Sequence, residues 1–197
     1  YKSSLEKKLE NSKKENNIEI TPFMDYEWKG FKRVKKDKML TNYETKVSSE
    51  NLNTVAKVVT TLPKNKQFLR KTQRLINDRS KMFFETDKID WGMGEMLAYG
   101  SLLNEGFNIR ISGQDVERGT FSHRHAILKV EDSEEEICLL NNINNNQGSF
   151  NIYNSHLSEY GVMGYEYGYS LTSPQTLCIW EAQFGDFSNG AQIMIDQ

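Results

Sequence analysis

The chain has 197 residues, a formal net charge of −2, a hydrophobic content of 37% and a mean hydropathy of −0.68. This length suffices for one α/β domain with additional helices, and the near-neutral charge gives no argument for nucleic acid or an anionic membrane as partner. No apolar run reaches the length of a membrane span, and the two isolated cysteines suggest neither a zinc site nor a disulfide framework.

The N-terminal part of the sequence is polar and is predicted to be mostly helical. Residues 2–17 fit a solvated helix or a frayed tail, and residues 18–45 fit a linker segment with several aromatic side chains. Helices are predicted within 50–83, with Ser49 or Asn51 capping the first and Pro63 at an early position of the next. We therefore expect a helical connector over residues 1–85.

From residue 89 onward, predicted helices alternate with predicted strands. Asp90 is placed to cap a helix, and Gly106 is placed to end it. The apolar side of this helix would consist of Trp91, Met96, Ala98, Leu102 and Leu103. Strands are predicted at 107–112, 149–155 and 176–184, and helices are predicted to start at Ser158 and near residue 187. The segment EEICLLNN (135–142) fits either a strand or a short helix.

This order of elements predicts an α/β fold over residues 86–197, with a mostly parallel sheet and helices on both of its faces. In such sheets, ligands bind beyond the carboxyl ends of the strands. Three loops would meet there, at 112–125, 154–160 and 183–189, and they hold most of the residues with unusual chemistry.

Glu159 follows a predicted strand and lies in the first turn of a predicted helix. A carboxylate at this position complements the helix dipole, which is worth about 0.3–1 kcal/mol, and this is the simpler interpretation. The alternative is a carboxylate at the mouth of the sheet that hydrogen-bonds a cofactor.

The other two loops each leave two interpretations open. His123 and His125 flank Arg124 in a polar segment, where anion binding and a surface loop with incidental histidines are equally compatible with the sequence. Metal ligation by these histidines is only weakly indicated, because no cysteine or carboxylate partner stands nearby. In the third loop, Phe184 and Phe187 could stack on a flat ring or pack as core around a glycine turn. The P-loop, GxGxxG, GxSxG and HExxH motifs are all absent from the sequence.

Two long segments with LLNN between them carry a resemblance to a known family. They are DWGMGEMLAYGSLLNEGFNIRISGQDVERGTFSHRHAIL (90–128) and NSHLSEYGVMGYEYGYSLTSPQTLCIWEAQFGDFSNGAQIMIDQ (154–197). Together they resemble the first, thiamin diphosphate-dependent component of 2-oxoglutarate dehydrogenases, strongly over residues 89–197 and less specifically over 1–88. The resemblance implies a transketolase-like pyrimidine-binding domain over 86–197, truncated at its C-terminal end.

The resemblance also implies roles for individual residues. Glu159 matches the glutamate that hydrogen-bonds N1′ of the cofactor's aminopyrimidine ring. Leu157 matches a side chain that wedges between the two cofactor rings, and Phe187 matches the aromatic residue that stacks on the aminopyrimidine. Gln183 and Phe184 match their neighbours in the pocket. The implied active-site loop contains Gln114, Asp115, His123, Arg124 and His125.

For the parent protein, the resemblance implies an oxidoreductase of the tricarboxylic acid cycle. It would decarboxylate 2-oxoglutarate on thiamin diphosphate and transfer the succinyl group to the lipoyl arm of the succinyltransferase component. The diphosphate and Mg²⁺ would be held by a separate domain with a GDG…N motif, which this sequence lacks. No metal ligand is therefore expected in this chain, and the chain alone is expected to be inactive.

Further expectations concern assembly and location. The resemblance implies a homodimer whose site lies between two subunits, located in the bacterial cytoplasm, which we prefer, or in the mitochondrial matrix. The ends at Tyr1 and Gln197 suggest a piece of a longer protein, and neither nucleic acid binding nor membrane insertion is expected. The alternatives are a 2-oxoglutarate decarboxylase or carboligase without a lipoyl partner, and a non-catalytic domain of the same fold.

Overall fold

A computed structural model describes residues 1–14, 24–86, 88–155, 159–183 and 189–196. These residues fall into two compact units, 1–33 and 34–197. The first unit contains helix α1 (Lys2–Lys14), all of whose residues are exposed, as expected of a solvated helix. Turns follow at 24–30, and the ring of Trp28 meets the ring of Phe31 edge to face, with 5.5 Å between the ring centres.

The second unit contains the remaining helices and all the strands of the described residues. The helices are α2 (Ser49–Val59), α3 (Arg70–Phe84), α4 (Trp91–Asn104), α5 (Glu159–Thr172) and the short α6 (Gln192–Ile195). The strands are β1 (Asn108–Gly113), β2 (Ile127–Lys129), β3 (Glu136–Cys138), β4 (Phe150–Asn154) and β5 (Thr176–Glu181). Short 3₁₀ turns occur at Lys36–Lys38 and Leu139–Asn142.

The main sheet has the strand order β4-β1-β5, and both pairings are parallel. This confirms the predicted parallel sheet. Strands β2 and β3 form a separate antiparallel pair that the sequence interpretation did not foresee. The ambiguous segment 135–142 combines both alternatives, since β3 runs directly into the second 3₁₀ turn.

The two faces of β1 carry different chemistry, as the alternation of a strand requires. Ile109 and Ile111 are fully buried in the main hydrophobic cluster together with α2 and α4. Arg110 points to the opposite face and bonds Glu166 of α5. Helices therefore cover both faces of the sheet, which confirms the predicted fold class.

A second, smaller hydrophobic cluster joins α3 to the β2–β3 pair. Phe68 and Ile76 pack there with residues of β2, β3 and the segments that follow them, and all its central members are buried. Helix α3 is thereby anchored beside the segment that connects β1 to β2.

The helix ends show which local sequence signals were sufficient to predict a helix boundary. Asp90 accepts a hydrogen bond from the Met93 amide at 2.7 Å, and Gly106 follows the last turn of α4 with φ +91, so both predicted boundaries are confirmed. The cap of α2 is Ser48, whose Oγ accepts from the Asn51 amide at 3.2 Å, so the predicted Ser49 and Asn51 caps are wrong. The capping oxygen has to precede the first helical residue, which here is Ser49.

Two further expectations for the helices were wrong. Pro63 does not lie in a helix, because α3 begins only at Arg70 and the intervening chain turns to bury Phe68. Trp91 is 90% exposed and Ala98 is exposed as well. These two residues are seven apart and share one side of α4, whereas the buried side contains Met93, Met96, Leu97 and Leu103.

Candidate active site

The carboxyl ends of the three parallel strands lie side by side. Gly113 at the end of β1 is in register with Asn154 of β4 and with Glu181 of β5. The Ser155 amide donates to the Gly113 carbonyl at 2.7 Å, so the chain leaves β4 in contact with β1. The loops predicted to meet at this edge therefore do start there, as far as the structure describes them.

Glu159 and Gln114 meet at this edge. Glu159 is the first residue of α5 and is half-buried, and Gln114 directly follows β1. The Gln114 Nε2 donates to Glu159 Oε1 at 2.9 Å. In the described part of the chain, Gln114 is the one side chain that hydrogen-bonds this carboxylate. Glu159 also lies in the first turn of α5, as the helix-dipole interpretation requires. The two interpretations of Glu159 are therefore compatible.

The remaining residues predicted to contact the cofactor are only partly covered by the structure. Leu157, Phe184 and Phe187 lie outside the described residues. Gln183 is half-buried and lies two residues beyond the end of β5, at the same edge as Glu159.

Among the described side chains at this edge, Arg124 makes the most hydrogen bonds, and it is 1% exposed. Its Nε donates to Glu95 of α4 at 3.0 Å and its Nη1 donates to the Val116 carbonyl at 2.8 Å. Its Nη1 also donates to Glu181 at the end of β5, at 3.2 Å, and its Nη2 ion-pairs with the same carboxylate. Arg124 thus links α4 and β5 to the segment between β1 and β2, residues 114–126, which we call the 114–126 loop.

The positive charge of Arg124 lies between two carboxylates of the same chain, those of Glu95 and Glu181. Burial alone would lower the pKa of its guanidinium, but the bonds from Glu181 and Glu95 outweigh burial, and the net pKa is raised. Arg124 is therefore a permanent cation held between two carboxylates.

The two histidines that flank Arg124 have different surroundings. The His123 ring packs on Gly119, where an added Cβ would meet it at 2.4 Å, and its Nε2 lies 3.9 Å from a Glu95 oxygen. His125 lines a cavity of 330 Å³ beside Asp115 and Arg118. Burial, followed by the charges of nearby arginines, lowers the pKa of His125, so it is neutral near pH 7.

The 114–126 loop is folded tightly on itself. Asp115 ion-pairs with Arg118, and the Gly119 amide donates to the Asp115 carbonyl at 2.8 Å. Three residues other than glycine adopt left-handed backbone conformations, namely Asp115 (φ +58), Ser122 (φ +56) and His125 (φ +43). Such conformations are disfavoured for L-residues and persist only where surrounding contacts enforce them.

Three residues that build this site were missed by sequence reasoning: Glu95, Glu181 and Arg79. A signal existed for two of them, because Glu95 interrupts an apolar helix and Glu181 ends an apolar strand. A charge inside an apolar element usually has a buried partner. Arg79 lies in a charged helix and gave no such signal.

Neither a metal site nor a membrane-spanning helix is found in the part of the chain that the structure describes. No group of three or more His, Cys, Asp or Glu side chains is arranged to hold a metal ion. None of the described helices combines the length and the apolar character needed to cross a membrane.

Comparison with known proteins places this geometry in a family. The family model for the transketolase pyrimidine-binding domain matches residues 87–197. The chain is 47% identical over 195 residues to the mitochondrial 2-oxoglutarate dehydrogenase of Schizosaccharomyces pombe, which covers 98% of this chain and 19% of that protein. It is 42% identical over 198 residues to the mitochondrial enzyme of Caenorhabditis elegans, covering 100% of this chain and 19% of that protein.

A bacterial relative shows a similar level of identity. The 2-oxoglutarate dehydrogenase E1 component of Haemophilus influenzae is 47% identical over 155 residues, or 79% of this chain and 17% of that protein. The chain thus spans about a fifth of the length of the curated relatives that it matches. Because the family model matches more than half of its residues, the chain belongs to the transketolase pyrimidine-binding domain family.

Proposed function

We propose that this chain is the pyrimidine-binding part of the first component of a 2-oxoglutarate dehydrogenase, and that Glu159 is the carboxylate that contacts N1′ of thiamin diphosphate. The observation that carries the proposal is the Glu159–Gln114 pair at the carboxyl edge of the parallel sheet. Family membership and the names of the relatives support the choice of cofactor and substrate.

The donors and acceptors at this edge fit an aminopyrimidine. Gln114 donates a hydrogen bond to Oε1 of Glu159, and among the described residues no side chain donates to Oε2. A carboxylate with one oxygen held and the other available can accept a hydrogen bond from a protonated ring nitrogen. The half-buried position of Glu159 strengthens such a bond by reducing competition from water.

In this proposal the protein's task is to hold a proton at a defined place. Thiamin diphosphate, when bound, supplies the nucleophilic carbon that allows a 2-oxo acid to lose carbon dioxide. Glu159 would share the proton of N1′ when the cofactor is bound, and the hydrogen bond from Gln114 would fix the orientation of the Glu159 carboxylate.

The other residues and partners of the proposal come from the resemblance. Leu157 would separate the cofactor rings and Phe187 would stack on the aminopyrimidine, with Gln183 and Phe184 as their neighbours in the pocket. Asp115, His123, Arg124 and His125 belong to the active-site loop. Mg²⁺ and the diphosphate bind to another part of a homodimeric parent, in the mitochondrial matrix or the bacterial cytoplasm. That parent passes a succinyl group to the lipoyl arm of its partner.

The test is the substitution Glu159→Gln in the full-length parent, which keeps the shape of the side chain but removes its negative charge. We expect the rate constant for 2-oxoglutarate decarboxylation to fall about 10²- to 10⁴-fold, the usual contribution of a positioned proton-transfer group. Glu134→Gln, at an exposed residue far along the chain, is the control and should retain the full rate. An unchanged rate in Glu159→Gln would remove the role of Glu159.

A second measurement addresses the lipoyl partner. Decarboxylation should be followed in the presence and absence of the lipoyl-bearing succinyltransferase component. We expect succinyl transfer only when that component is present. Quantitative release of succinic semialdehyde whether or not it is present would instead identify a decarboxylase without a lipoyl partner.

A further inference from the structure

Arg79 of α3 is buried without a carboxylate at ion-pair distance among the described residues. Its side chain is 2% exposed, and burial lowers the pKa of its guanidinium, an effect that the more distant charges of Asp90 and Glu95 only partly offset. A buried cation is unfavourable unless its N–H groups are well bonded. The retention of this cation in the core therefore calls for a specific set of acceptors.

The acceptors are two consecutive backbone carbonyls of the 114–126 loop. Arg79 Nη2 donates to the His123 carbonyl at 3.0 Å and also to the Arg124 carbonyl. These carbonyls belong to the two peptide units between residues 123 and 125, next to the left-handed conformations of Ser122 and His125. The guanidinium thus holds the loop at its most unusual backbone conformation.

Helix α4 holds the same peptide from another side. A Cβ added at Gly92 would lie 2.3 Å from the His123 carbonyl oxygen, so the helix approaches this peptide as closely as only glycine permits. The Arg124 side chain in turn donates hydrogen bonds to Glu95 and Glu181. We call the contacts of Arg79 and Gly92 with residues 123 and 124 the loop clamp.

The loop clamp is linked to the Glu159 contact through the loop itself. The Arg124 amide donates to the Arg118 carbonyl at 3.0 Å, and the Arg124 side chain holds the Val116 carbonyl. Gln114, which bonds Glu159, lies two residues before Val116. A shift of the peptide at residues 123–124 is therefore transmitted to Gln114 over a short, bonded path.

We propose that Arg79 is a positioning residue: by holding the carbonyls of His123 and Arg124, it fixes the 114–126 loop and with it the Gln114–Glu159 pair. Its catalytic consequence rests on the proposed function, whereas its structural consequence does not. Helix α3, from the predicted connector, would then be a component of the active site's support.

The first experiment compares Arg79→Met with Arg74→Met in the full-length parent. Arg74 lies on the same helix with an exposed side chain and serves as the matched control. Hydrogen–deuterium exchange is followed by mass spectrometry of peptides that cover 118–127 and β1. We expect exchange of the 124–126 amides to accelerate about tenfold or more in Arg79→Met alone, while β1 is unchanged.

The variant Arg79→Lys tests whether the hydrogen bonds of the guanidinium, and not only the volume of the side chain, protect the loop. An ammonium group keeps the charge but lacks the planar fork, so it should restore only part of the protection of the 124–126 amides. A folded Arg79→Met variant with unchanged loop exchange, or one whose exchange rises evenly along the whole chain, would overturn the proposal.

A second pair of variants remains informative if Arg79→Met does not fold. Gly92→Ala pushes the His123 carbonyl from the α4 side and keeps the buried arginine, whereas a Cβ at Gly94 meets nothing within 4 Å. We expect Gly92→Ala to accelerate exchange of the 124–126 amides and Gly94→Ala to leave it unchanged. Equal behaviour of the two alanine variants would contradict the loop clamp.

Kinetics then separate this inference from the proposed function. In Arg79→Met we expect the rate constant for decarboxylation to fall about tenfold with little change in KM, and Arg79→Lys to recover part of it. If Glu159→Gln were fully active, the proposed function would be wrong. The hydrogen-exchange data would still show whether the loop clamp holds the 114–126 loop. If only the Arg79 and Gly92 variants lacked effect, the positioning role alone would be wrong.

Discussion

Arg110 and Glu166 form a buried ion pair on the face of the sheet that α5 covers. Arg110 Nε and Nη2 donate to the two oxygens of Glu166 at 2.7 and 2.8 Å. The Arg110 guanidinium also lies within 4.8–5.3 Å of the ring centres of Tyr153, Tyr165 and Tyr169. This bidentate pair fixes α5, and therefore Glu159 at its start, against the central strand.

Cys178 of β5 also contacts this carboxylate. Its Sγ donates to Glu166 Oε2 at 3.1 Å, and burial together with Glu166 raises the pKa of the thiol to about 12. The thiol is therefore protonated at neutral pH and is a poor nucleophile. Its role at this place is structural, as expected of a free cysteine in an apolar strand.

Glu166 gives a prediction about acid stability. Burial alone would raise the pKa of Glu166, but the bonds from Arg110 and Cys178 outweigh it, and the net pKa lies below the usual 4.5. Because the folded-state value is depressed, the carboxylate stabilises the fold fully above about pH 4.5 and loses this contribution as the pH falls through the folded-state pKa.

We therefore expect Glu166→Gln to lower the free energy of unfolding by about 3 kcal/mol at pH 7, because Arg110 is left buried without a counter-charge. The difference from the unmodified chain should stay constant above pH 5 and shrink below about pH 4.5. Urea unfolding between pH 3 and pH 7 measures both effects, with the exposed Glu131→Gln as control. A difference that grows towards acid pH would contradict this assignment.

At the residue scale, the sequence identified candidates but not their contacts. The loop positions left Glu159 and Arg124 with two interpretations each, and the family resemblance is what implied site roles for Gln114, Glu159 and Arg124. Their partners depend on which strand lies beside which, and that information is long-range. The Arg110–Glu166 pair was missed for the same reason, since its members are 56 positions apart and belong to elements of different periodicity.

At the scale of elements, α2 and α4 cross at an unusually close contact. A Cβ added at Gly100 of α4 would lie 2.2 Å from Cγ1 of Val55, which is completely buried in α2. A β-branched valine cannot move aside easily, because its side chain has one strongly preferred rotamer in a helix. Gly100 therefore sets the distance between the two helices that cover one face of the sheet.

We expect Gly100→Ala to lower the free energy of unfolding by about 1–3 kcal/mol through overpacking, although alanine is the better helix former. Adding Val55→Ala removes the two clashing methyl groups and leaves the Val55 Cβ at 3.2 Å. The double variant should therefore be more stable than the sum of the two single effects implies. Urea unfolding of the four chains measures this coupling, and strict additivity would show that the contact is not the cause.

Element boundaries were predictable where one or two adjacent residues decide them. The cap at Asp90 and the stop at Gly106 are of this kind, because their hydrogen bonds and backbone angles are local. The start of α3 was not predictable in this way. Pro63 is compatible with a helix start, but burial of Phe68 against the β2–β3 pair delays the helix to Arg70.

At the scale of the whole molecule, the alternation of strands and helices was enough to predict the parallel sheet and the edge at which its strands end. The order β4-β1-β5 was not predictable, because it depends on packing between strands far apart in sequence. The edge was identified nevertheless, since every parallel strand ends on the same side whatever the order. This explains why the three loops were placed together while the bonds among them were not.

The same edge leads to a prediction for the chain as a whole. Its described contribution to the proposed cofactor site is the Glu159–Gln114 pair, which addresses the aminopyrimidine ring. The resemblance implies that the diphosphate and Mg²⁺ bind through a GDG…N motif, which this sequence lacks. Contacts to the rings alone leave the charge of the diphosphate without a partner, so the favourable free energy of binding should be small.

We expect titration calorimetry of residues 1–197 with thiamin diphosphate to give a Kd of about 1 mM or weaker, equivalent to about 4 kcal/mol, with no dependence on Mg²⁺. The full-length parent should bind more tightly and should require Mg²⁺, because only there do ring and diphosphate contacts act on one ligand. Tight, Mg²⁺-dependent binding by residues 1–197 would show that this chain itself supplies the diphosphate site. The proposed division of the cofactor between two domains would then be wrong.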